Sequence, residues 1–169
     1  MSGPASASVV PLRPWEPPAE SSPAYAVCYC CPARVLALDT DRGTITSFTV
    51  RALLSTGEPL SVVMPVSSRG RLSIITEAVD HGYPLSWHAT PCQLVRVRIG
   101  LPVAGSPTPR PFKLLALLPL REVEDVAPFL RLGAEFLHAN RVSVRLSSSP
   151  CEGRLEIPYP RPTLPACSP

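Results

Sequence analysis

The chain has 169 residues, a formal net charge of +3 and an apolar share of 45%, enough for about one domain with a buried core and too apolar for wholesale disorder. Its 23 prolines exceed ordinary usage about two- to threefold, which excludes long uninterrupted helices, because a proline removes an amide donor and clashes with the preceding turn. The 15 arginines and one lysine stand singly from Arg13 to Arg161, whereas neutralising a nucleic-acid backbone calls for clusters; nucleic acid is not an expected partner.

Residues 1–23 are rich in proline, alanine and serine and read as an extended arm, with Ser8–Leu12 able to add one edge strand. The spacings Pro11/Pro14 and Pro14/Pro17 are PxxP patterns that an SH3 groove accepts. In so proline-rich a chain a solvated arm is the plainer reading. The start lacks the basic residues and apolar run of a secretion signal, and no apolar stretch has bilayer-spanning length. An intracellular location follows as the expectation, with no membrane partner and with the six cysteines reduced.

A β domain is expected over residues 24–157. Strands are predicted at Ala24–Cys31, Arg34–Leu38, Thr44–Leu54, Leu60–Val66, Arg71–Thr76, Gln93–Leu101 and Phe112–Leu120. Leu94, Val95, Val97 and Ile99 interleave with Arg96 and Arg98, the pattern of one buried and one wet face. The turns fall at Asp41–Gly43, Ser55–Pro59 and Ser67–Gly70. Strands so spaced, with little helix between them, predict an antiparallel β-sandwich or jelly-roll-like barrel. One helix is predicted over Asp125–Asn140, capped by Asp125, with Pro128 in its first turn and an apolar face of Val126, Phe129, Leu130, Phe136 and Leu137. Two short strands, Arg141–Ser147 and Arg154–Ile157, precede a proline-rich tail at 158–169.

The cysteines Cys28, Cys30 and Cys31 lack the paired CxxC knuckle of structural zinc, since alternate residues of a strand share a face and Cys31 points away. No metal is expected. No G-x-S-x-G elbow, P-loop or G-x-G-x-x-G motif occurs.

The segment "EAVDHGYPLSW" (Glu77–Trp87) is the densest in chemistry. With its neighbours it resembles the trimeric dUTPase family and the degenerate relatives carried by DNA viruses of the herpesvirus and adenovirus type. "SSPAYAV" (Ser21–Val27) is similar to the first motif of that family, "RGRLS" (Arg69–Ser73) to its R-S-G-L-A, "AVDHGY" (Ala78–Tyr83) to its V-I-D-x-x-Y, and "PFKLLALLPLREVEDV" (Pro111–Val126) to G-D-R-I-A-Q-L-I and the strand beyond. The resemblance covers about two-thirds of the chain. It implies that Asp80 occupies the position of the carboxylate orienting the attacking water, that Tyr83 stands where a ring lies under the deoxyribose, and that Arg69 and Lys113 match positions near phosphate and subunit contacts.

The departures imply loss of activity. Ala26 replaces the first-motif aspartate and Ala116 the fourth-motif glutamine; Gly70 and Arg71 replace the phosphate-cradling serine and glycine, and no glycine-rich closing tail exists. The expectation is therefore a catalytically inactive dUTPase-like interaction module in the cytoplasm or nucleus of a host cell. It would bind host protein and need no cofactor, and a homo-oligomer is allowed. The alternatives are a divergent dUTP diphosphatase using Asp80, Tyr83 and magnesium, or a proline-rich adaptor without nucleotide history. The segment itself then reads as the remnant of a nucleotide-pocket hairpin kept for its backbone shape, with an ordinary turn built on Asp80 and Gly82 as the alternative.

Overall fold

Alternation along the sequence becomes strand after strand in the computed structural model, which describes residues 7–15, 28–63, 72–121, 130–147 and 152–159. The elements in chain order are β1 (Ala7–Trp15), β2 (Cys28–Asp39), β3 (Thr44–Leu54), β4 (Ser61–Val63), β5 (Leu72–Ile74), β6 (Thr76–Ala78) and β7 (Leu85–Trp87). They continue with β8 (Thr90–Leu101), β9 (Arg110–Pro119), β10 (Leu130–Leu132), the short helix α1 (Ala134–Ala139), β11 (Ser143–Leu146) and β12 (Gly153–Pro158).

Two long hairpins frame the fold. β2 and β3 pair from Cys30↔Leu53 to Asp39↔Thr44. Their turn is held by Asp39, whose Oδ1 accepts the amides of Asp41 and Arg42 at 3.1 and 3.3 Å. Gly43 there takes φ 63°, a conformation in which a side chain is strained. β8 and β9 pair from Cys92↔Pro119 to Leu101↔Arg110. β10 runs parallel to β3 and antiparallel to β4, and β4 runs parallel to β9. The ring closes where β2 meets β8 at Arg34↔Gly100 and Val35↔Ile99. Six strands, β2-β3-β10-β4-β9-β8, thus form a closed circuit, which removes the exposed edges of an open sheet.

Cys31, Ala33, Val35, Val95, Val97, Ile99, Leu114, Ala116, Leu130 and Leu132 pack together in the main core. Across that core lies the antiparallel layer β11-β12-β1, contributing Val10, Leu12, Leu155 and Ile157, each 3% exposed or less. β1 changes partner midway: Ala7–Leu12 pair with β12 and Arg13–Trp15 with β2. Among the described residues each half is laddered with one strand, which accommodates Pro11 and Pro14.

The expected helix Asp125–Asn140 is corrected. Leu130, Arg131 and Leu132 form a strand with both leucines buried, and among the described residues helix covers Ala134–Ala139, entered from Gly133. Leu-Arg-Leu fits a period of two as well as a helical face, and the ladders to β3 and β4 decide for the strand. Gly133 is needed because an added Cβ would stand 2.4 Å from the carbonyl carbon and oxygen of Leu60; its amide donates to the fully buried Ser61 Oγ at 3.1 Å. Phe136 keeps its expected inward role, edge-on to Phe112 at 5.6 Å. Asp125, Val126, Pro128 and Phe129 lie outside the described residues.

Two further expectations change. The circuit is mixed rather than purely antiparallel, through the parallel pairs β3–β10 and β4–β9. The run Arg71–Thr76 divides at Ile75, where the chain leaves β2 for β8: β5 pairs with β2 and β6 with β8.

Candidate functional site

The segment Glu77–Trp87 runs along β8. Thr76, Glu77 and Ala78 pair with Val97, Arg96 and Val95, and the Val79 amide donates to the Leu94 carbonyl at 2.9 Å. The chain then loops out through Asp80–Pro84 and returns as β7, with Leu85↔Cys92 and Trp87↔Thr90. Gly82 has φ 67°, so glycine at this position serves the turn. His81 Nδ1 lies 3.1 Å from the Val79 carbonyl oxygen, and its ring meets Tyr83 edge-on at 5.7 Å.

Asp80 is exposed and Tyr83 is 67% exposed. A carboxylate so placed acts in nearly full solvent dielectric, where it contributes little to holding a developing charge. Lys113 is exposed on the outside of the circuit, opposite Arg98. Its position on β9 is three residues along from Ala116, the partner of Val95 beside which the loop leaves. Ala116, at the expected glutamine position, is fully buried in the main core. Arg69 lies outside the described residues.

β7 ties down one end of the outer surface. Trp87 packs with Val62, Cys92, Leu94 and Leu117 in a second, smaller core. Arg131 lies over the Trp87 ring at 5.3 Å and pairs with Glu58 at 3.2 Å. Glu58 Oε2 and Arg131 Nε are buried without a hydrogen-bond partner, so this pair spends desolvation energy that one ion contact repays only in part. The hairpin turn after Trp87 places His88 and Ala89 at φ 46° and 58°, left-handed geometry that usually calls for Asn-Gly.

The other end of the outer surface is open. Cross-strand partners share a face, so Ile45 and Leu38, paired across β2–β3, both face outward. Leu36 joins them two positions along, and Ile75 lies beside it, its backbone amide donating a hydrogen bond to the Leu36 carbonyl at 3.1 Å. Ile45 is 69% exposed and Leu36, Leu38 and Ile75 are 37–38% exposed. Arg34, Arg98 and Lys113 continue the same face as exposed cations. Sequence reasoning missed this strip, although its signal was present: in Arg34–Leu38 both alternating sets, Val35/Ala37 and Leu36/Leu38, are apolar.

Two grooves lie elsewhere. One of about 710 Å³ between β1, β11 and β12 is lined by Arg13, Arg145, Leu146, Glu152 and Arg154, among others. Beside it Glu156 binds both Arg145 and Arg154, at 2.8 and 2.9 Å; the hydrogen bond from Arg145, above all, holds its carboxyl below the usual range. The second, of about 440 Å³, lies between Arg13, Cys31, Pro32 and Arg51. Neither takes in Asp80, Tyr83 or Lys113. Cys31 is buried in the core, and burial, with Cys30 adding to it, pushes its thiol up to about 12, the state of an inert structural thiol. Among the described residues no three His, Cys, Asp or Glu side chains gather as a metal-holding group. Compared with known proteins, the chain matches no family model and no curated protein.

Proposed function

We propose that the chain is a non-catalytic interaction module, a degenerate dUTPase-like β-protein of DNA-virus type that acts by binding a host protein. The observation that carries the reading is the open outer face, where Leu36, Leu38, Ile45 and Ile75 stand side by side in solvent. Contiguous apolar side chains on a protein surface mark contact sites.

The candidate chemistry supports the same reading. Turnover of a nucleoside triphosphate requires magnesium and aligned donors on the phosphates before a positioned water can attack. Here Ala26, Gly70 and Arg71 stand at positions where the resemblance calls for aspartate, serine and glycine. Ala116 faces the core rather than a ligand, and Asp80 is solvated. Proximity and orientation supply about 7–11 kcal/mol of an enzymatic barrier reduction, and that contribution has no support in this arrangement.

The test is turnover of dUTP with magnesium by the purified chain and by Asp80→Asn. Background rates in both are expected. Robust hydrolysis that disappears in Asp80→Asn would replace the binding module with a divergent dUTP diphosphatase.

A further inference from the structure

We propose that the open outer face of β2, β3, β5, β8 and β9 docks an acidic partner segment whose carboxylates lie to one side of its apolar side chains. The inference deepens the interaction-module reading and rests on it.

The face is polarised. Its apolar half is the group Ile45, Leu38, Leu36 and Ile75, spread over adjacent strands about 5 Å apart. Its cationic half begins two positions along β2 with Arg34, the partner of Gly100 on β8. It continues with Arg98 and, directly opposite on β9, Lys113. The neighbouring acids are already engaged: Glu77 pairs with Arg96 at 3.2 Å, and Asp39 accepts the amides of its own turn. Among the described residues no ion pair is formed by Arg34, Arg98 or Lys113, and a partner's carboxylates complement them.

The same layout disfavours the other occupants. A second copy meeting this face through a two-fold axis would bring a second set of the same cations and no carboxylate of this face to meet them. A nucleic acid would track phosphates along a basic groove, whereas here Leu36, Leu38, Ile45 and Ile75 stand beside the cations. A lipid headgroup layer would favour cations around the apolar group, and here they lie on one flank.

The probe is a fluorescein-labelled synthetic peptide with a run of leucines followed by a run of glutamates, titrated against the full chain by fluorescence anisotropy. A control carries lysines in place of the glutamates, and vesicles of phosphatidylcholine with phosphatidylserine are titrated in parallel. Saturable binding of the glutamate peptide is expected, weakened about tenfold or more by Leu38→Asp and by the pair Arg98→Glu with Lys113→Glu. Added salt should weaken it in the wild type and less in the charge-reversed pair. All three side chains are exposed, and circular dichroism verifies that each variant keeps its strands. Equal binding of the lysine peptide, no saturable binding, or indifference to the charge reversals overturns the proposal. So does uptake by vesicles alone, or self-association in sedimentation that Leu38→Asp abolishes. These outcomes are independent of dUTP turnover, which tests the underlying reading.

Discussion

Arg110→Ala should be among the most damaging single changes to the outer end of β9. The Arg110 guanidinium donates to Ser8 Oγ and the Ile157 carbonyl at 3.0 Å each, and to the Pro158 carbonyl at 2.8 Å. It also lies over the rings of Phe112 and Tyr159, at 5.2 and 5.1 Å. One side chain thus fastens the start of β9 to the first residues of β1 and the last of β12. Hydrogen bonds to a charged group contribute about 1.5–3 kcal/mol each, and stranding a buried acceptor costs about 1–3 kcal/mol. Ser8, at 2% exposure, and Ile157, at 0%, have little access to replacement water. The groups are coupled and Arg110 is itself only half-buried, so the terms do not simply add. A loss of about 3–5 kcal/mol is expected, read from urea unfolding by linear extrapolation with an unchanged slope. Arg110→Lys should recover part of it, since an ammonium can keep one carbonyl bond but cannot span all three acceptors. A loss below about 1 kcal/mol for Arg110→Ala would refute the clamp.

Gly133→Ala drives a methyl into the backbone of Leu60, at 2.4 Å, and should cost more than about 3 kcal/mol; Gly57→Ala, with open space around it, is the near-neutral control in the same urea series. Ala89→Gly should raise stability by about 0.5–1 kcal/mol by relieving left-handed strain in the β7–β8 turn, seen as a higher unfolding midpoint. Glu156 has a folded carboxyl value held below its unfolded one, so its contribution is present above the ordinary carboxylate range of about 4.3. That contribution is lost as pH falls through the lower folded value, and Glu156→Gln should therefore flatten the acid limb of the unfolding midpoint plotted against pH. An acid limb identical to that of the wild type would remove Glu156 from the account.

Legibility in the sequence follows how local each cause is. β3 appears with the expected bounds, Thr44–Leu54, because alternation and a flanking turn are written in neighbouring residues. β8 begins three residues before the expected Gln93, at Thr90, because the left-handed turn at His88 and Ala89 carries no glycine to announce it. β10 reads as helix because three residues cannot separate the two periods; its ladders to β3 and β4 supply the choice. The barrel closure, Arg34 against Gly100, joins distant segments and leaves no local mark. At the candidate site, Gly82 announces a turn, and a turn is found. The relation of Lys113 to that turn depends on the β8–β9 register, which composition and alternation do not encode. The exposed strip was written in Arg34–Leu38 but read as an ordinary strand, because an apolar residue signals burial until the tertiary fold leaves its face uncovered.

The change of partner within β1 bears on the order in which the molecule can be made. Val10 and Leu12 are buried, yet the strand that ladders with their half of β1 is β12, the last of the described strands to emerge during synthesis. Until Gly153–Pro158 are available, the early half of β1 has its later half, Arg13–Trp15, anchored to β2 and its own apolar side chains without that neighbour. Such long-range closure is slow compared with hairpin formation. The nascent chain therefore carries an adhesive segment from the emergence of β1 to that of β12, and a chaperone that shields residues 7–12 would act there until β12 arrives.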